Sequence, residues 1–235
     1  MKLVTLGDLR ARVVPAGRPD PRLVVVLLHG FGAPGDDLVS LAEWIDVPGV
    51  AWVFPEAPLE LGGLYGDARA WWMLDLERIE RDLARRSPSD RSTEVPEGMA
   101  PARARIVALL DAVRTELGVP DDRVVLGGFS QGAMLAIDVV LHTTRAFAGA
   151  ALLSGTLLAR QDWEPRMAAR AGLRVLQSHG TLDGLLPYAA AETLRDLLVA
   201  AGWRLDWIPF DGGHELPPPL LGELGEFLAG LIPPT

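Results

Sequence analysis

Apolar residues along this chain fall in short continuous blocks separated by amphipathic stretches. Leu23–Leu28 is six apolar residues in succession, the mark of a strand covered on both faces. Asp36–Ile45 reads as a helix, and Ala51–Phe54 is a second apolar run stopped by Pro55. Pro101–Leu117 predicts a longer helix. Pro101 suits its first turn, Ile106, Leu109, Leu110, Val113 and Leu117 share one face, and Gly118 ends it. Arg123–Gly127 predicts the next buried strand, followed by a helical run from Gln131 to Leu141. Ala148–Leu153 and Leu173–Gln177 read as further strands, Pro187–Ala201 as a helix ended by Gly202, and Trp203–Phe210 as a strand. Leu216–Leu231 closes the chain as a helix with Leu220, Leu224, Phe227, Leu228 and Leu231 inward. Strands alternating with helices imply a mostly parallel sheet with helices on both faces. Ligands in such sheets sit beyond the carboxyl ends of the strands.

Residues 59–100 break the rhythm, being too long for a plain connection. Within them Asp75–Arg86 predicts a short surface helix with Leu76, Ile79 and Leu83 on one side. Glu77–Arg81 and Arg78–Asp82 are spaced to pair on its solvated face. Ser87–Gly98 is polar and reads as a mobile loop. The 235 residues hold one large domain, so the expectation is a single domain over 1–235 with a cap-like excursion at about 59–100.

Composition narrows the function. Apolar residues make up 49% and charged residues 23%, so the chain can bury a sizeable core. A net charge of −9 argues against a nucleic-acid partner. No apolar run approaches a membrane span, and the charged first 14 residues predict no secretory signal, so a cytoplasmic location is expected. The absence of cysteine excludes disulfides, thiolate metal sites and a cysteine nucleophile.

The candidate chemistry sits where the predicted strands end. Gly128-Phe129-Ser130-Gln131-Gly132 has the form G-x-S-x-G between a strand and a helix. A sharp turn there lifts a serine hydroxyl above the sheet. Serine needs a base, and the base needs an orienting acid. Of the four histidines, His142 ends a helix and reads as a helix-terminal or surface residue. His29 and His179 each precede a glycine at a strand end. His214, in the loop Asp211-Gly212-Gly213-His214-Glu215, is the best candidate base. Asp183, just after the strand Leu173–Gln177, is the best candidate acid. Asp211 leaves the same loop as His214 and could approach it less easily. Acyl transfer also needs backbone N–H donors where negative charge develops. Gln131 supplies one at a helix start, and Phe31, in His29-Gly30-Phe31-Gly32, is the candidate for the second, with His29 holding the loop.

These segments, with His179-Gly180-Thr181-Leu182-Asp183 and Pro187, resemble the phospholipase/carboxylesterase family of α/β-hydrolases. That family includes small bacterial carboxylesterases and acyl-protein thioesterases. Pro55-Glu56-Ala57-Pro58 and Trp71-Trp72-Met73-Leu74-Asp75 extend the likeness, so it runs from about residue 23 to the C-terminus. The resemblance implies an α/β-hydrolase fold with Ser130 as nucleophile, Asp183 and His214 as its partners, and Phe31 and Gln131 as oxyanion donors. It implies hydrolysis of carboxylic esters, thioesters or lysophospholipids without metal or cofactor. Leu64, Tyr65, Trp71, Trp72 and Met73 are candidates for an acyl-binding wall, and core or cap packing explains them equally well. The chain departs from the family where Ala33-Pro34-Gly35-Asp36-Asp37 follows the first glycine loop, since relatives often place an acidic residue directly there. The stretch around Ser87–Gly98 is also longer than usual. The expected partner is a small-molecule ester, with a homodimer as a further candidate assembly. Two rival readings are a non-catalytic binding protein on the same scaffold and a serine peptidase or perhydrolase.

Overall fold

A computed structural model describes residues 1–17, 20–63, 66–85 and 90–233, leaving out the side chains of residues 82, 83 and 85. Its strands are β1 (Lys2–Leu6), β2 (Leu9–Val14), β3 (Leu23–Leu28), β4 (Val50–Pro55), β5 (Leu59–Glu60), β6 (Arg69–Ala70), β7 (Val124–Phe129), β8 (Gly149–Leu153), β9 (Arg174–Gly180) and β10 (Arg204–Phe210). The helices are α1 (Leu41–Trp44), α2 (Leu76–Arg85), α3 (Met99–Glu116), α4 (Gln131–His142), α5 (Arg160–Met167), α6 (Tyr188–Ala200) and α7 (Pro218–Ala229).

Eight strands form one sheet in the order β1-β2-β4-β3-β7-β8-β9-β10. From β4 to β10 every pairing is parallel, and the β1–β2 hairpin joins β4 antiparallel. The central strands β3 and β8 are buried at every residue, which is why they read as unbroken Val/Leu/Ala runs. On one face α3, α4, α5 and α6 bury Ile106, Leu110, Leu135, Trp163 and Leu194. On the other, α1 and α7 bury Leu41, Leu220, Leu224, Phe227 and Leu228.

This is the mostly parallel sheet with helices on both faces that the alternation predicts, and its architecture is the α/β-hydrolase fold that the resemblance implies. The chain leaves β3 toward β4 on one side and then crosses to β7 on the other. That reversal opens a crevice beyond the carboxyl ends of β3 and β7, where ligands of such sheets bind.

Three local differences have physical causes. The β1–β2 hairpin is absent from the sequence reading because Leu9, Ala11 and Val13 alternate with Arg10 and Arg12, as befits a half-exposed antiparallel edge. Residues 36–40 make successive turns, such as Val39 N–H to Asp36 O at 3.0 Å, so only Leu41–Trp44 is helical where Asp36–Ile45 was expected. Helix α5 contains Pro165, which masks its pattern in the sequence.

Candidate active site

The elbow at Ser130 joins β7 directly to α4. Ser130 adopts φ 55 and ψ −118, a conformation that a non-glycine residue holds only when its surroundings enforce it. Two contacts do so. Ser130 N–H donates to Leu153 O at 2.8 Å, tying the elbow to β8. Gly132 packs so tightly under β3 that an added Cβ would lie 2.1 Å from Leu28 O.

Asp183 follows β9, and its side chain is fully buried. One carboxylate oxygen accepts the backbone N–H groups of Leu185 at 2.8 Å and Leu186 at 2.9 Å. The other lies 2.7 Å from His214 Nδ1. Burial works against the charged carboxylate, but the His214 hydrogen bond and charge, with the two backbone donors, outweigh it and hold Asp183 below its ordinary range.

The acid and histidine loops are stitched together. Thr181 N–H donates to Phe210 O and Leu182 N–H to Gly212 O, both at 2.9 Å. Gly180 permits this approach, since a Cβ there would stand 2.1 Å from Gly213 O. The His214 ring in turn tilts against Phe129, the residue before Ser130, with centroids 4.8 Å apart.

The glycine loop after β3 is pinned from several sides. Gly32 N–H donates to Arg69 O and Arg69 N–H to Ala33 O, at 2.9 and 3.0 Å. His29 is buried, with Nδ1 2.8 Å from Gly30 O and Nε2 accepting Ala57 N–H at 3.0 Å. An imidazole that donates from Nδ1 and accepts at Nε2 is neutral. Burial, the largest influence, holds its pKa below the ordinary imidazole value. Gln131 opens α4, so its backbone N–H is one of the donors a helix start leaves without a partner in the helix.

Ser130, His214, Phe31 and Gln131 all line one cavity of about 550 Å³. Its walls include Leu74, Ile79, Met134, Leu158, Leu185 and Leu186. Trp72 and Met73 line it as well. Trp71 is not among its lining residues. The Trp71 ring lies 5.4 Å from that of His29, and its Nε1–H donates to His29 O at 2.9 Å. Leu64 and Tyr65 lie outside the described residues. Residues 72–79 and 91–96 supply much of the cavity wall, so part of the 59–100 excursion stands over the site. Arg78, expected on a solvated face, lines the cavity and pairs with Glu94 at 2.5 Å, while the Asp82 side chain is outside the described atoms. Of the expected Ser87–Gly98 loop, residues 87–89 lie outside the description; the rest is anchored to the body by Arg160 N–H to Ser92 O and Ala159 N–H to Glu94 O. Among the described residues, no three histidine or carboxylate side chains gather to hold a metal ion.

Two features escape the sequence. The Gln131 side chain accepts Trp71 N–H at 2.9 Å and donates to Trp72 O at 2.8 Å, clamping the cavity wall to the elbow. His142, read as a helix-terminal residue, also reaches another helix through Nε2, 2.7 Å from Asp162 Oδ2. Neither partner is near in sequence, and no spacing signal announces the contact.

Comparison with known proteins adds four findings. A family model described as Phospholipase/Carboxylesterase matches residues 9–232. The acyl-protein thioesterase 1 of Cryptococcus neoformans is 31% identical over 186 residues, covering 77% of this chain and 75% of that protein. The crystal structure of the esterase PE8 superposes with a TM-score of 0.79 at 28% identity, covering 98% of this chain and 100% of that one. That of a carboxylesterase from Mesorhizobium loti reaches 0.78 at 23% identity, over 97% and 98% of the two chains.

Proposed function

Because the chain belongs to the phospholipase/carboxylesterase family, we propose that it hydrolyses esters through an acyl-enzyme on Ser130, with His214 as base and Asp183 as orienting acid. The chain is an ester hydrolase. His214 Nδ1 faces Asp183 Oδ2 at 2.7 Å, and that single contact carries the reading. It places the imidazole hydrogen on Nδ1 and leaves Nε2 as the acceptor a serine proton needs. His214 and Ser130 line the same cavity.

The reaction has two halves. His214 takes the proton of Ser130 as its oxygen adds to the ester carbonyl. The negative charge on the carbonyl oxygen is met by the N–H groups of Phe31 and Gln131. As the tetrahedral adduct collapses, His214 gives the proton to the departing alcohol or thiol. Water then repeats the sequence on the acyl-enzyme and releases the acid. Asp183 fixes the imidazole tautomer and stabilises the imidazolium.

The largely apolar walls favour the acyl part of a carboxylic ester, a thioester or a lysophospholipid. The strained Ser130 and the hydrogen-bonded His214–Asp183 pair speak against a scaffold that has lost catalysis. Nothing in the cavity favours a peptide over an ester. The cap over 59–100 belongs to the proposal as a substrate-binding element of one domain.

No helix among the described residues is long and apolar enough to cross a membrane. Cytoplasmic action and a homodimer complete the proposal, tested by cell fractionation and light scattering. The central test is a panel of p-nitrophenyl esters, thioesters and lysophospholipids with wild type and Ser130→Ala. Turnover that depends on Ser130 supports the proposal, and near-normal turnover by folded Ser130→Ala ends it.

A further inference from the structure

A second imidazole meets the acid of the site. His179 is the sixth residue of β9, and its side chain is fully buried. Its Nε2 lies 2.9 Å from Leu186 O and 3.4 Å from Asp183 Oδ2. A carbonyl oxygen only accepts, so Nε2 carries the hydrogen. Leu186 in turn donates its N–H to Asp183 Oδ1 at 2.9 Å. The Asp183–Leu186 turn is thereby closed into a ring, with His179 holding one end of Leu186 and Asp183 the other.

We propose that His179 is a positioning residue, which fixes the turn carrying Asp183 so that Oδ2 points at His214. The inference rests on the triad reading above and deepens it. Leu185 and Leu186 hold only Oδ1. Oδ2 faces His214 and His179 alone among the described contacts. Without His179, Leu186 O loses its donor and the turn gains freedom to rotate, carrying Oδ2 off the line to His214. Burial, the largest influence, keeps the His179 pKa below the ordinary imidazole value. It therefore stays neutral and does not compete with a protonated His214 for the carboxylate. The Tyr188 ring is tilted against that of His179, with centroids 6.2 Å apart.

The test is a kinetic double-mutant cycle on the full chain with p-nitrophenyl butyrate, using His179→Ala, Asp183→Asn and the double variant. His179→Ala is expected to lower kcat about 10–100-fold, the rate equivalent of one or two misplaced hydrogen bonds, with KM within about twofold. Asp183→Asn is expected to cost about 10³–10⁴-fold, and the double variant no more than Asp183→Asn alone. Should His179→Ala fail to fold, His179→Gln and His179→Met replace it, with Gln keeping kcat through its N–H and Met losing it. An unchanged kcat, a loss confined to KM, a His179 factor that multiplies in full on Asp183→Asn, or equal rates for Gln and Met would each overturn the inference. A different outcome, in which Asp183→Asn itself has little effect, would overturn the triad reading instead.

Discussion

Gln131 offers a quantitative prediction because its side chain is 1% exposed and both ends are engaged. Gln131→Met keeps the length of the side chain and removes both hydrogen bonds. Trp71 N–H and Trp72 O are then buried backbone groups without partners. Leaving each unsatisfied costs about 1–3 kcal/mol, so the pair costs about 2–6 kcal/mol. For a chain of this size each kcal/mol lowers Tm by about 2–4 °C, giving a fall of roughly 4–24 °C. The backbone N–H of residue 131 survives the change, so kcat should fall far less than in Ser130→Ala. Thermal unfolding followed by circular dichroism, paired with ester turnover at a temperature where both proteins are folded, reads both effects. An unchanged Tm in Gln131→Met would refute the clamp and with it the reasoning that ties the 71–72 wall to the elbow.

Other consequences are equally direct. Ser130→Ala should lower kcat by about 10⁴–10⁶-fold while the protein still unfolds cooperatively, checked by steady-state kinetics beside calorimetry. Gly132→Ala places a methyl 2.1 Å from Leu28 O, and β3 cannot yield without disturbing the sheet; loss of soluble folded protein or of ester turnover is expected, and a stable, fully active variant would contradict the packing. Stability should also depend on pH through the buried histidines. The folded chain keeps His29 neutral where the unfolded chain takes up a proton, so its contribution is full above about pH 6.5 and declines as pH falls toward the lowered folded value. His179 adds with the same sign. Urea midpoints should drop between about pH 7.5 and about pH 5.5, and less steeply in His29→Gln; an equal slope in the variant would remove His29 from the account.

The parts of this molecule that were legible in the sequence share a physical feature. β3 and β8 are covered on both faces, so burial writes itself as an uninterrupted apolar run. Helix α3 shows its buried Ile106, Leu109, Leu110 and Val113 at helical spacing. The β1–β2 hairpin lacks both signals, because polar residues break its apolar positions, Lys2 and Thr5 in β1 and Arg10 and Arg12 in β2. The spacing of Leu38, Leu41 and Ile45 fits one long helix, yet tight turns and the single turn of α1 bury the same three side chains. At the site, Ser130, Asp183 and His214 could be singled out because each stands just beyond a strand and each has a recognisable glycine neighbour. The Trp71–Trp72 pair looks like a matched wall in sequence. The fold divides it: Trp72 lines the cavity and Trp71 bonds beneath it to His29. The Gln131 clamp and the His179 contact depend on hydrogen-bond geometry between segments that only the fold brings together. Neither leaves a spacing in the chain.

The most direct trial of the account is chemical trapping of the intermediate. The enzyme is mixed with excess p-nitrophenyl ester, quenched in acid within the first turnover, digested and examined by mass spectrometry. The acyl group is expected on the peptide bearing Ser130, with no adduct in Ser130→Ala. An acyl group on another residue, or full turnover with no adduct on Ser130 at any time, would contradict it.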